Sequence, residues 1–213
     1  MDALFSNLDP SLQLILLLIA LSLLPFIFVS MTSFMRYAIV LSILKTALGT
    51  QQAPPGPVLI GISLVLTFYT MSPTMAEMMD KIEKPIQQKQ SVMVVMNEAG
   101  KPLRDFMLRQ TRQEDVSFFI ELVHEKPPET VDDISIWEAA PAFMISELRT
   151  SFEIGFLIFI PFIVVDLVVA NILLALGMMM LSPTIISLPF KILIFIAVDG
   201  WNLVIQGLVK SFN

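Results

Sequence analysis

Three charges stand where a charge is costly. Asp166, Lys191 and Asp199 fall inside the last two of four long apolar segments in this 213-residue chain. Near the centre of a membrane helix such a charge costs about 2.5–3.5 kcal/mol on insertion scales, so it pairs, lines a wet path or marks a helix end. From the middle of the short connection between the two segments, Asp166 is about 14 residues back and Lys191 about 11 forward, a depth difference of ~5 Å at 1.5 Å per residue. That is within side-chain reach and predicts an intramembrane ion pair, Asp166–Lys191, locking the hairpin. The competing chemistry is a proton or ion relay, which ordinarily uses more than one paired acid. Asp199 precedes Gly200-Trp201-Asn202 near an end of the last segment. It reads as an interfacial anchor, with Trp201 in the aromatic belt.

Met178-Met179-Met180 occupies the connection itself. Three flexible, polarizable thioethers at a hairpin tip make a soft apolar surface that repacks around different neighbours. Two readings stay open: filler at a membrane edge, or a deformable seal where copies from several subunits meet on an axis. Pro141 and Pro161 are expected to bend or break their helices. Gly155, Ala170, Ala175 and Gly177 offer close helix–helix contact.

Catalysis finds no footing in these residues. The chain has no cysteine, which excludes disulfides, thiolate metal sites and a Cys nucleophile. Its one histidine, His124, lies between Glu121 and Glu125 on a polar stretch and reads as a solvated helix residue. No phosphate loop, nucleophile–base pair or metal motif occurs, so the expectation is no enzyme, no cofactor and no metal. A net charge of −6 argues against nucleic acid, which calls for clustered Lys and Arg.

The elements that carry these residues follow from composition. Apolar residues make up 55% of the chain and charged residues only 15%, well under the usual quarter. A soluble domain of this size has no room to hide that much apolar surface, so a bilayer or a large apolar assembly must cover it. Pro10–Met35 carries no charge, and Leu12–Val29 is long enough to cross the hydrocarbon layer. With Asp2 and Asp9 ahead of it rather than Lys or Arg, this segment is expected to be retained, not cleaved as a signal. An apolar stretch between Arg36 and Lys45 ends at Gly49, a helix C-cap signal, and 51–57, rich in Pro, is a turn. Val58–Met71 is the second apolar segment. It returns toward the side it came from, giving a helical hairpin.

The expected fold is an all-α membrane protein: two long apolar hairpins with a small soluble helical insert between them. Residues 1–76 form the first hairpin, 77–153 the insert leading into the third long helix, and 154–213 the second hairpin with its Met-rich tip. The insert holds most of the chain's charge. Thr111-x-x-Glu114 and Ser135-x-x-Glu138 read as capping boxes. Val116, Phe119, Ile120 and Val123 form an amphipathic stripe, and Leu103, Phe106, Met107 and Gln110 a shorter helix before it. Val92–Met96 is ambiguous between strand and helix, and Pro127-Pro128-Glu129-Thr130 is a break. Ser182-Pro183 places an N-cap and a proline at N1, and Ser72-Pro73 repeats the device. Arg36 and Lys45 favour a cytoplasmic first connection.

Beyond these local signals the chain resembles the FliP/SctR family, core subunits of the bacterial type III export apparatus. Ala47-Leu48-Gly49-Thr50-Gln51-Gln52 with Pro54-Pro55 is similar to that family's first connection, and Lys101–Thr111 to its middle domain. The longest likeness runs through Ile145–Phe152, Ile154-Gly155-Phe156, Pro161-Phe162, Val165–Val168, Leu176–Met180, Leu188–Lys191 and Val198–Trp201. The resemblance implies a non-enzymatic pore subunit for unfolded secreted proteins in the bacterial inner membrane. It implies several copies, a pentamer, assembled with FliQ/SctS-like and FliR/SctT-like subunits and an FlhB/SctU-like export switch. It implies that Met178, Met179 and Met180 form a gasket around the closed pore, and that Asp166 and Lys191 are the family's intramembrane acid and base. It also implies bent hairpins in a helical stack, largely on the periplasmic side, rather than ordinary spans. Ser182–Leu188, together with the expectation that no signal is cleaved, favour the injectisome branch over the flagellar one. The competing functions are a small-ion or metabolite transporter using Asp166, Lys191 and Asp199, and a membrane anchor whose insert recruits partners.

Overall fold

A computed structural model describes residues 9–50, 52–88, 90–123 and 134–212. His124, the break at 127–130 and the N-terminal Asp2 lie outside them. The described residues form eight helices and no strand, the all-α membrane fold expected: α1 Pro10–Met31, α2 Phe34–Ala47, α3 Gly56–Gln87, α4 Val92–Gln110, α5 Gln113–Val123, α6 Ile136–Ala175, α7 Pro183–Ala197 and α8 Gly200–Lys210. Two of them, α3 and α6, are long and apolar enough to cross a membrane. Counting α1 with α2, and α7 with α8, as broken spans gives up to four. At 1.5 Å per residue α6 is about 60 Å long, twice the ~30 Å hydrocarbon layer.

Packing groups the chain into two compact units that cut across its linear order. One comprises Met1–Met35 with Phe68–Glu147, the other Arg36–Thr67 with Leu148–Asn213. Each is held by its own core.

In the first unit, α1 starts at Pro10, whose missing N–H costs nothing at N1. It ends where Thr32 turns extended, its hydroxyl donating back to the Phe28 carbonyl. Two residues interrupt the apolar run there, so Pro10–Met35 is not one element. The Phe28 ring sits 5.9 Å from that of Phe68 in α3. Ser72-Pro73 does not restart a helix, because α3 continues through both Pro73 and Pro85. A proline removes one hydrogen bond and crowds one carbonyl, less than the flanking turns supply in a 32-residue helix. Val92–Met96 is helical, the first turn of α4, which is longer than the stripe around Phe106 suggested.

Thr111 closes α4 rather than opening α5. Its hydroxyl donates 2.6 Å to the Met107 carbonyl, and its N–H bonds to Leu108. The other capping box forms with its serine bond one residue early, at N2. The Ser135 hydroxyl accepts from the Trp137 N–H at 3.1 Å while the Glu138 carboxylate accepts from the Ser135 N–H at 2.9 Å. From that start α6 runs unbroken through Pro141 and Pro161. Phe106 and Phe143 meet edge to face at 5.9 Å in the core of this unit, and Ile120 faces inward from α5. The Arg112 N–H donates to the Ser146 hydroxyl, fixing the α4–α5 corner on α6.

The second unit is built on close helix approach. A side chain at Gly155 of α6 would overlap Ile43 of α2, which is the contact its size anticipates. Gly177 has the other glycine role: open space surrounds it, and its φ of +72° makes it a helix terminator. Gly49, at φ +78°, ends α2 in the same way. There the Gly49 N–H bonds to the Thr46 carbonyl and the Thr50 hydroxyl to that of Lys45.

Candidate functional site

The α6–α7 hairpin carries most of the residues singled out by chemistry, and its turn is made by backbone. The Met178 N–H reaches the Leu173 carbonyl at 2.9 Å and the Gly177 N–H reaches Leu174 at 3.1 Å. These paired bonds are a Schellman motif, which satisfies carbonyls that a helix end otherwise leaves open. Ser182 stands at the N-cap of α7 in extended conformation and Pro183 at N1, although the Ser182 side chain makes no capping bond. Between these two stops the chain presents Met178 half-exposed, Met179 at 80% and Met180 at 101% of full exposure. The thioethers are bare.

Below the tip lies the ion pair. Lys191 Nζ is 2.6 Å from Asp166 Oδ2, with the lysine side chain 3% exposed and the aspartate 30%. Ser187, one turn before Lys191 on the same face of α7, donates its hydroxyl to the other carboxylate oxygen of Asp166. The ammonium also donates to the Ala47 carbonyl at 3.3 Å. Ala47 is the last residue of α2, where unpaired carbonyls gather partial negative charge and a cation is favoured. Lys191 therefore ties three helices at one point, whereas the spacing argument foresaw two. Both oxygens of Asp166 are engaged, the arrangement of a lock.

A second buried cation was missed. Arg36, whose charge with that of Lys45 favours a cytoplasmic first connection, lies within α2 and is 2% exposed. Its Nη1 donates to the Ser211 carbonyl at 2.8 Å and to the Ser211 hydroxyl at 2.9 Å, and its guanidinium carbon lies 3.7 Å from the centre of the Phe212 ring. Tyr37 adds a ring contact to Phe212 at 5.4 Å. Arg36 thus clamps the end of α8, so it no longer supports the cytoplasmic assignment. The only signal in its surroundings was its place just beyond an apolar run, which names no partner.

Asp199 and Trp201 form the joint between α7 and α8, which are bent by 65°. Asp199 takes the left-handed conformation at φ +52°, and its carboxylate accepts from the Asn202 side chain at 3.1 Å. A Cβ at Gly200 would overlap the Phe195 ring, and Trp201 packs edge-on against the same ring at 5.4 Å. Asp199 lies apart from the Asp166–Lys191 pair in role: one turns the chain, the other ties it.

The outer faces of the hairpin remain apolar and open. Val165, Val168, Val169 and Leu173 of α6, with Phe190 and Ile194 of α7, line a groove of ≈ 410 Å³. Phe156, Leu157, Leu167 and Leu193 are also exposed, more apolar surface than a soluble monomer leaves open.

The sequence profile of the FliP family matches residues 17–208. Flagellar biosynthetic protein FliP of Bacillus subtilis is 46% identical over 214 aligned residues, spanning 98% of this chain and 97% of that protein. The protein of the same name from Pectobacterium carotovorum is 48% identical over 95% of this chain and 79% of its own length. That of Aquifex aeolicus is 43% identical over 97% and 88%. All three are named as flagellar, which supports the flagellar branch and leaves the injectisome preference unsupported. The match spans both units, the ion pair and the methionine tip, and the chain belongs to the FliP family.

Proposed function

We propose that this chain is a structural, non-enzymatic subunit of the flagellar protein-export gate in the bacterial inner membrane. Several copies, with FliQ-, FliR- and FlhB-like partners, enclose a path for unfolded proteins, and Met178, Met179 and Met180 close it when idle. The observation that carries this reading is the contrast between a bare methionine tip and the buried lock at its base. A seal needs soft side chains on a stiff support. Soft thioethers conform to neighbours and to passing chains, and the Lys191 tie keeps their helices in place. The open apolar faces of α6 and α7 suit packing against further helices as well as lipid. A small-ion transporter would need Asp166 or Lys191 to exchange partners, and the engagement of both oxygens of Asp166 speaks for the lock.

The test replaces Met178, Met179 and Met180 together by Ala in the assembled complex. The expected result is normal assembly with a leak of small solutes through the idle membrane complex. A seal as tight as that of the unchanged protein would overturn the reading. Purification from native membranes with mass measurement of the intact complex tests the copy number and partners directly.

A further inference from the structure

The same exposure that suits Met178–Met180 to sealing also opens them to chemistry. We infer that this tip is a modification site for hydroperoxides, at which oxidation to methionine sulfoxide loosens the seal and reduction restores it. The inference rests on the sealing role proposed above.

The exposures set the chemistry apart along the chain. Met179 and Met180 are open to solvent, while Met71 and Met107 are 1% and 0% exposed. The tip is also bare at its neck, since nothing lies within 4 Å of a Cβ placed at Gly177. A seal across an aqueous path has water on both its faces, so thioethers there stay within reach of a small neutral oxidant. The sulfur lone pair attacks one peroxide oxygen, the O–O bond breaks, and hydroxide leaves. That hydroxide takes the proton from the new S–OH group, giving a sulfoxide and one water. Sulfur loses two electrons and the peroxide gains them. The product is a polar, chiral group in place of an apolar one. Three such groups per copy, multiplied around an axis, replace a dry contact by one that holds water. Met79, also exposed at 67%, lies in the charged end of α3 and offers a reference for an accessible thioether without a seal.

The experiment treats the assembled complex in vesicles with hydrogen peroxide. It follows oxygen addition by peptide mass mapping alongside leakage of a trapped small solute. With only their water-facing sides open in the seal, Met178–Met180 are expected to gain oxygen more slowly than Met79 and roughly ten-fold or more faster than Met71 and Met107. Leakage should rise with that addition and fall again on treatment with the two epimer-specific methionine sulfoxide reductases and a dithiol, which gives sulfur two electrons, becomes a disulfide and releases the oxygen as water. In the triple variant Met178→Leu, Met179→Leu, Met180→Leu, leakage should cease to respond to peroxide, whatever its untreated level. Tip oxidation as slow as that of Met71, a peroxide response that persists in the leucine variant, or a leak unchanged by tip oxidation would each overturn the inference. The Ala variant distinguishes the two ideas. If it leaks without peroxide while oxidation of the unchanged tip does not, the seal stands and the switch falls.

Discussion

The tip and the base of the α6–α7 hairpin sit a few turns apart and are built on opposite terms. At the tip, backbone bonds make the turn and three methionine side chains remain open to solvent. At the base, side chains do the tying: Asp166, Ser187 and Lys191 meet in one cluster, and Lys191 adds the carbonyl end of α2. A turn held by backbone leaves its side chains free for another task. A cluster held by side chains has no such freedom, because each member is another's partner. Stability and function are therefore separable along this hairpin.

The strongest way to break that separation is Lys191→Met, which strands the Asp166 charge and frees the Ala47 carbonyl. The expected loss is about 2–4 kcal/mol, below the full value for a buried pair because Asp166 is partly exposed. Thermal unfolding in detergent reads it, and an unfolding temperature like that of the unchanged chain would refute the three-helix tie. Gly200→Ala comes next. Its methyl group meets the Phe195 ring, an overpacking cost of about 1–3 kcal/mol, and Phe195→Leu in the same chain should recover part of it. Failure of the second change to recover anything would place the strain elsewhere.

Asp166→Asn keeps an acceptor for Ser187 but weakens the bond to Lys191, at a cost of about 1–2 kcal/mol. The charge-swapped pair, Asp166→Lys with Lys191→Asp, should not rescue it. Position 191 faces the carbonyl end of α2, where a carboxylate is repelled. Full recovery by the swap would mean that Ala47 contributes nothing. At the tip, replacing all three methionines by Ala should move stability by about 0.5 kcal/mol or less, the range of exposed positions. A large loss of stability there would erase the contrast.

The smallest effect belongs to an exposed pair in the other unit, Glu98 and Lys101 of α4. The hydrogen bond from Lys101 holds the Glu98 carboxyl below its ordinary value. The folded chain then binds that proton less readily than the unfolded one, so the pair's contribution is present above the ordinary glutamate range and lost as pH falls through the lowered value. Lys101→Ala should raise the Glu98 midpoint toward the ordinary value, read by NMR titration, with no measurable change in unfolding temperature. An unmoved midpoint would show that the bond does not form in solution.

Periodicity and apolar length announced helices across most of this chain, and the pairing of Asp166 with Lys191 followed from counting residues outward from one turn. Counting suffices there because both residues lie on helices joined by a short connection, where depth is set by rise alone. It could not find Ala47, far away in sequence and contributing only a backbone carbonyl, a group every residue carries. The partners of Arg36 stay hidden for the same reason: they are the backbone and ring of residues at the far end of the chain. Ser72-Pro73 and Thr111 were misread through a different cause. Their local signals are genuine, yet the turns flanking Pro73 carry α3 through the proline, and Thr111 spends its hydroxyl on the helix behind it.

By itself the sequence determined the class, the methionine tip, the stop at Gly49 and the acid and base at matched depth, all of which depend on residue type and spacing within one or two elements. Only the tertiary structure decided that two buried cations each seize the carbonyl end of a distant helix, and that the chain packs as two units across its linear order. Backbone acceptors look alike in every residue, so which one a cation finds depends on how the helices pack.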